Sequence, residues 1–487
     1  MTEYGFQELC RGKSAFDFVL EYSKGTPDTE SVIVLCDSDF PVSRWPEVDT
    51  IHDNRWSVSK LTSWLCKLSE GFDNLFFLYG DTPLLDTAKT REMYANHLKY
   101  FAQYSFADGY PQGLTPEIIE SKAMKAIARL AADDEASVER NSIFETLKKD
   151  INAFDIETDI AAADQRLLRV TLAADTRRNT LLLRRMTDDG VSDMGAATEY
   201  LDAKPEHLRT LPAFFNVQIE EGCPQACSYC PWPVIHGDVR SARGEMSIEH
   251  FTSILEKISD FSEDATISVS LWGEPALHSG IEKLAAAVTR FDGLSLLIET
   301  SGVGWREGVI DNILESGGSR TEWIVSLDAL TPELYTDFRG DGLKEATATA
   351  LYLIEHAGKM SHVQAVRMKA GESELQDFYR FWKKHTDNII IQKYDFFSGL
   401  LEPRKVTDLS PLKRFPCWHL KRDLNILLDG TVPVCREDLK VNHPLGNIFT
   451  DSLEEIWSRG EEWYLKHIRE DYPQLCVNCD EYYTYNF

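Results

Sequence analysis

Three cysteines fall within eight residues of the stretch GCPQACSYC, where Cys223, Cys227 and Cys230 are spaced C-x3-C-x2-C. Thiolates at such spacing bind soft metals. Three on one short loop can hold three corners of a [4Fe–4S] cube and leave the fourth iron open. They can equally be part of a zinc site. Four more cysteines, Cys417, Cys435, Cys476 and Cys479, lie far downstream. Four thiolates close a site, either around a cluster or around zinc. Asp429-Gly430 between two strand-like runs predicts a β-hairpin that brings Cys417 and Cys435 together, with Cys476 and Cys479 supplying the other pair. The remaining cysteines, Cys10, Cys36 and Cys66, are scattered and read as small buried apolar residues.

The elements that position these thiols follow from the apolar pattern. A chain of 487 residues exceeds one ordinary core. Strand-like runs recur at 213–220, 266–271, 294–300, 322–328, 362–368 and 388–395, with helical patterns such as 280–291 and 346–358 between them. Six strands alternating with helices imply a parallel sheet curled into a partial (βα)6 barrel over 211–400. The three-cysteine loop then follows the first barrel strand, at the sheet end where such folds carry function. Residues 401–487 form a small C-terminal domain around the four-cysteine set. Residues 1–185 alternate strand-like segments (31–39, 74–85) with helical ones, among them a helix over 116–133 opened by Pro116. The polar residues 186–210 read as a linker.

The net charge of −28 argues against nucleic acid or an anionic membrane as partner. No apolar run approaches the ~20 residues that cross a bilayer. The N-terminal text MTEYGFQELC lacks the basic and apolar regions of a signal peptide. These features point to the cytoplasm, where thiols stay reduced and clustered cysteines signal metal or redox chemistry.

The C-x3-C-x2-C loop after a first strand resembles the signature of the radical S-adenosylmethionine (SAM) superfamily. Further motifs fall in that family's order: WGEP (272–275), ETSG (299–302), VSLDA (325–329) and DFRG (337–340). The resemblance implies that Cys223, Cys227 and Cys230 hold a [4Fe–4S] cluster whose open iron chelates SAM. It further implies that Tyr229 packs near the adenine. Gly273 and Glu274 approach the SAM backbone and ammonium, with Trp272 standing where the family has glycine. Thr300 and Ser301 lie on the ribose side, Ser326 lies near SAM, Arg339 pairs with its carboxylate, and Met368 lies near the adenine. Residues 417–479, with GNIFTDSLEEIW at 446–457, resemble the SPASM/twitch extension. With no cysteine after Cys479, the twitch form with one auxiliary [4Fe–4S] cluster fits. This spacing is similar to that of radical SAM dehydrogenases of aminoglycoside biosynthesis, which oxidise a cyclitol alcohol.

GDTPLLD (80–86), DGYPQGLTPEII (108–119) and FDIETDI…ADTRRN (154–179) resemble segments of sugar-nucleotide cytidylyltransferases, without that family's glycine-rich opening loop. That likeness implies a divalent cation on Asp81 and Asp175 in a degenerate nucleotidyltransferase-like domain. The whole arrangement resembles the spiro-SPASM proteins. The resulting expectation is an oxidoreductase for a sugar, cyclitol or nucleotide-linked small molecule, reduced by a donor such as flavodoxin or ferredoxin. The alternatives are a peptide-modifying enzyme and a metal-stabilised scaffold. Arg367 and Tyr394 are candidates for polar groups lining the substrate pocket.

Overall fold

A computed structural model describes residues 2–237 and 244–484. The chain divides into two compact units, 1–210 and 211–487.

In the first unit, short strands β1 (Glu8–Cys10) and β2 (Lys13–Ser14) form a hairpin, and β3 (Ile33–Cys36) pairs in parallel with β4 (Asp49–His52). The main sheet contains β5 (Asn74–Phe77), β6 (Tyr104–Asp108), β7 (Glu117–Glu120) and β8 (Ile156–Ile160), in the order β5-β7-β6-β8. β7 overturns part of the helix expected over 116–133, because only Met124–Leu130 is α-helical. Ile118 and Ile119 are both fully buried, and a β-branched pair covered on both faces suits a central strand.

Residues 186–210 are not a linker. The helices Arg177–Asp188 and Met194–Ala203 send Leu183, Met186, Met194, Tyr200 and Leu201 into the core that also holds Leu114 and Leu172. Their apolar residues recur at helical spacing among many charges, so composition alone hides the buried stripe.

The second unit is built on a seven-stranded, all-parallel sheet. Its strands are β9 (Phe214–Val217), β10 (Ala265–Ser268), β11 (Leu294–Thr300), β12 (Thr321–Ser326), β13 (Ser361–Arg367), β14 (Ile389–Lys393) and β15 (Asp423–Ile426), in the order β14-β13-β12-β11-β10-β9-β15. All six expected barrel strands are present. Crossover helices cover the sheet, as in Ile248–Ser262, which buries Phe251, Ile254, Leu255 and Ile258 at helical spacing. Ser247 caps that helix by accepting the His250 N–H at 3.1 Å.

β15 is the departure. Its pattern predicts one arm of a hairpin, yet it pairs in parallel with β9. The turn at Asp429-Gly430 exists, with Gly430 N–H donating to the Leu427 carbonyl at 2.8 Å. The outgoing arm β16 (Thr431–Pro433) pairs instead with β17 (Pro444–Asn447). Every residue of β15 is buried, and a strand buried on both faces belongs in a sheet interior. The C-terminal residues therefore share one core with the barrel: Phe215, Ile267 and Trp323 cluster with Ile448, Ile456 and Trp457. No boundary at 400 separates two compact units.

At the start of β7, burial pushes the Glu117 carboxyl up to about 7, against a hydrogen bond from Tyr104 that favours the charged form. The folded state thus holds this proton more tightly than the unfolded chain. The stabilisation is complete below about pH 4.5 and is lost as pH rises through 7. Glu117→Gln is expected to flatten this dependence and to stabilise the protein by on the order of 3 kcal/mol at pH 8. Chemical denaturation across pH 4.5–8 checks it.

Candidate functional site

The three-cysteine loop is clamped from one side by the turn that ends the helix Pro332–Arg339. Ala226 and Ser228 N–H groups donate to the carbonyls of Arg339 (2.9 Å) and Phe338 (2.8 Å). Gln225 donates to the Asp341 carbonyl at 2.8 Å. Beneath lies a buried ion pair: Arg339 Nη1 is 2.7 Å from Asp328 Oδ2, and both side chains are shut from water. Tyr229 donates to the same carboxylate oxygen at 2.5 Å, and Asp328 Oδ1 accepts the Val366 N–H at 2.7 Å. Asp328 thus ties the ends of β12 and β13 to the cysteine loop. Arg339 Nε is buried without a partner.

The WGEP loop lies against the other side. Glu274 N–H donates to the Gly222 carbonyl at 2.7 Å. A Cβ on Gly273 would meet the Glu220 carbonyl oxygen at 2.0 Å, so only glycine passes here. Trp272 holds a left-handed φ of 53°, which costs a non-glycine residue about 1–2 kcal/mol. Its ring stacks on Trp232 with centroids 5.6 Å apart and also meets Phe397. Those contacts offset the strain where the family pattern has glycine.

Glu274 is buried and its carboxylate is fully engaged. Thr300 donates at 2.5 Å, the Ser301 N–H at 2.8 Å and the Ala276 N–H at 3.3 Å. All three donors are neutral, and no cation pairs with Glu274 among the described residues. Burial raises its pKa against those hydrogen bonds. Ser326 donates to Glu299, which also accepts from Gln364, in a polar layer across β11, β12 and β13. Met368 packs with Phe338, Val366, Tyr394 and Tyr229.

Two expected pocket groups are engaged elsewhere. Arg367 pairs with Glu372 on a partly exposed face, and Tyr394 is buried with its hydroxyl donating to the Glu402 carbonyl at 2.7 Å. Ion pairing and packing account for both.

Burial lifts the thiol pKa of Cys223, and the charges of Glu274 and Cys227 add to it. Cys230 is pushed up to about 12, by burial first and the Cys227 charge second. At Cys227 the Arg339 guanidinium opposes the effect of burial.

The four later cysteines line one cavity, together with Arg414, His419, Arg436, Glu437 and His467. Several buried polar atoms on these residues have no partner, including Arg414 Nε, His419 Nε2 and both ring nitrogens of His467. His419 Nδ1 is held by Asp423 at 2.6 Å. Burial, then the Arg414 charge, lowers His467 to about 4. Cysteine spacing marks this cavity but not its histidines: His419 lies two residues after Cys417 on the helix Trp418–Arg422, and His467 stands on the separate helix Glu461–Ile468.

In the first unit, Asp81 and Asp175 do come together, but Arg140 lies between them. Its Nη2 is 2.8 Å from one carboxylate and 2.9 Å from the other. The guanidinium sits where a divalent cation was expected.

A parallel α/β sheet with a three-cysteine loop after its first strand and a four-cysteine cavity defines a protein with two sets of candidate thiolate ligands. The family "Radical SAM superfamily" matches residues 217–381, and the SPASM "Iron-sulfur cluster-binding domain" matches 417–480. An uncharacterized protein of Treponema pallidum (strain Nichols) is 40% identical over 358 residues, which cover 71% of this chain and 98% of that protein. The S-adenosyl-L-methionine-dependent 2-deoxy-scyllo-inosamine dehydrogenase of Niallia circulans is 19% identical over 273 residues, covering 55% of this chain and 92% of that one. Among solved structures, BtrN in complex with AdoMet and 2-DOIA superposes with a TM-score of 0.36 at 19% identity, covering 56% of this chain and 94% of that one. Streptococcus suis SuiB bound to S-adenosylmethionine gives 0.44 at 17%, covering 57% and 72%. The chain belongs to the radical SAM superfamily, carries a SPASM domain, and shares a family with the Treponema protein. Those domains imply SAM and iron–sulfur clusters as cofactors. No helix among the described residues is long and apolar enough to cross a membrane.

Two outcomes follow. Asp328→Asn leaves Arg339 as an uncompensated buried charge and is expected to cost about 3–5 kcal/mol in chemical denaturation. Arg140→Ala unmasks two facing carboxylates, so Mn2+ binding measured by EPR is expected to rise from none at this position to about one ion per chain.

Proposed function

We propose that this protein is a radical SAM oxidoreductase acting on a sugar, cyclitol or nucleotide-linked small molecule. The observation that carries the SAM part is Glu274: a buried carboxylate held by three neutral donors, with no cation paired to it, beside Cys223. An ammonium group is the counter-charge it lacks. Cys223, Cys227 and Cys230 would hold the first [4Fe–4S] cluster. Glu274 would orient the ammonium of SAM, with Thr300 and Ser301 fixing that carboxylate. Arg339 Nε is a free donor for a carboxylate, and Tyr229, Gly273, Ser326 and Met368 complete the cleft. The bound cofactor would supply a 5′-deoxyadenosyl radical that removes a hydrogen atom from substrate.

Cys417, Cys435, Cys476 and Cys479 would hold one auxiliary [4Fe–4S] cluster. With both groups bound, the substrate would lose one hydrogen atom to the radical, one electron to this site and one proton, a net two-electron oxidation. The Niallia dehydrogenase, named for an inosamine, supports the small-molecule class. SuiB, whose structure bound to the precursor peptide SuiA is known, motivates the second reading, a peptide-modifying enzyme. Residues 1–210 are best read as a degenerate domain that binds substrate or scaffolds, since Arg140 occupies the place of a catalytic cation. The cytoplasm and a flavodoxin- or ferredoxin-like donor fit a reduced, oxygen-sensitive centre.

Anaerobic reconstitution is expected to give ~8 irons per chain and reductant-dependent 5′-deoxyadenosine. Cys227→Ala should abolish SAM cleavage while leaving ~4 irons. Glu274→Gln should weaken SAM binding about 10- to 100-fold by equilibrium dialysis. Tightly bound zinc in place of iron, with no SAM cleavage, would sink the reading. Deuterium transfer from labelled polyols, but not from peptides, into 5′-deoxyadenosine separates the two substrate classes.

A further inference from the structure

We propose that His467 donates a hydrogen bond to the auxiliary cluster and raises its reduction potential, acting as a positioning residue for the electron acceptor. This rests on the reading of the four-cysteine cavity as a cluster site.

His467 stands on the helix Glu461–Ile468, 2% exposed, and lines the cavity with Cys417, Cys435, Cys476 and Cys479. Neither ring nitrogen has a hydrogen-bond partner. A buried histidine that merely packs ordinarily satisfies at least one nitrogen, as His97 does here with Ser105 at 2.8 Å and Asn74 at 3.0 Å. In either tautomer a neutral imidazole carries one N–H, and burying it unmade costs about 1–3 kcal/mol. The acceptors lining the cavity are the cysteine sulfurs and the carboxylates of Glu437 and Glu481. Neither carboxylate is hydrogen-bonded to His467, which leaves the thiolates and the sulfides of a cluster as the acceptors the proposal assigns to it. The ring is oriented by Tyr472, whose ring meets it edge-on at 5.1 Å and 88°.

Arg414 reinforces the arrangement. It is sandwiched against Tyr472 and Tyr482 at 4.0 and 4.7 Å, donates to the Cys476 carbonyl at 2.8 Å, and leaves its buried Nε without a partner. Two donors on different elements therefore converge on one cysteine-lined space. An N–H···S bond stabilises the more negative, reduced cluster more than the oxidised one, so it raises the potential. That is the direction an acceptor for a substrate electron requires.

The experiment uses the full chain with Cys223, Cys227 and Cys230 replaced by Ala, so that only the four-cysteine site loads. Iron and sulfide are counted, and the cluster is titrated potentiometrically by EPR. His467→Phe keeps the ring and its edge contact but removes the donor. It is expected to lower the reduced-to-oxidised ratio at a fixed potential about tenfold, a shift of about 59 mV. His467→Gln, which keeps an N–H, is expected to stay near the parent. A 15N-histidine coupling to the reduced cluster that survives His419→Gln supports the same hydrogen bond with His467 unaltered. Equal potentials in parent and His467→Phe at full iron content would overturn the proposal, as would absence of that coupling. Zinc without sulfide at the site would overturn it together with the cluster reading, and the metal count tells the two failures apart.

Discussion

A guanidinium and a carboxylate 2.7 Å apart, both removed from water, form the joint on which the cysteine-loop end of the barrel depends. Either charge alone in that position would be strongly destabilising. Together, Arg339 and Asp328 fix the end of β12 to β13, hold Tyr229, and present the 338–341 turn on which the cysteine loop rests. Arg339 also opposes the penalty of burying a thiolate at Cys227. One ion pair thus serves as structural anchor and as part of the electrostatics of the three-cysteine loop.

The two cysteine sites differ in which buried polar groups surround them. Beside the three-cysteine loop lies a carboxylate, Glu274, surrounded by neutral donors and lacking a cation. Around the four-cysteine cavity lie ring and guanidinium nitrogens of His467 and Arg414 without partners, together with the Glu437 carboxylate, neither of whose oxygens is hydrogen-bonded.

The first unit shows how similar residues can assemble into something chemically different. Asp81 and Asp175 face each other as a cation site would require, yet Arg140 bridges them and rests over the Tyr79 ring. A guanidinium held by two carboxylates offsets one of their two charges in place. A divalent ion would have to displace it.

Much of the barrel was legible from the chain alone, because a parallel sheet covered on both faces writes itself as apolar runs of strand length separated by helical patterns. The order of the cysteines and of WGEP, ETSG and VSLDA was equally readable, since loops after successive strands must meet at one end of such a sheet. Three things were decided only in three dimensions. Residues 116–133 carry a helical pattern, but Ile118 and Ile119 lie in a central strand because pairing with β5 and β6 covers both faces. Residues 423–426 look like a hairpin arm, but their burial on every side puts them beside β9. His467, Arg414 and Arg140 have no motif, because what defines them is an absent partner or a shared one, and partners distant in sequence exist only once the chain has folded.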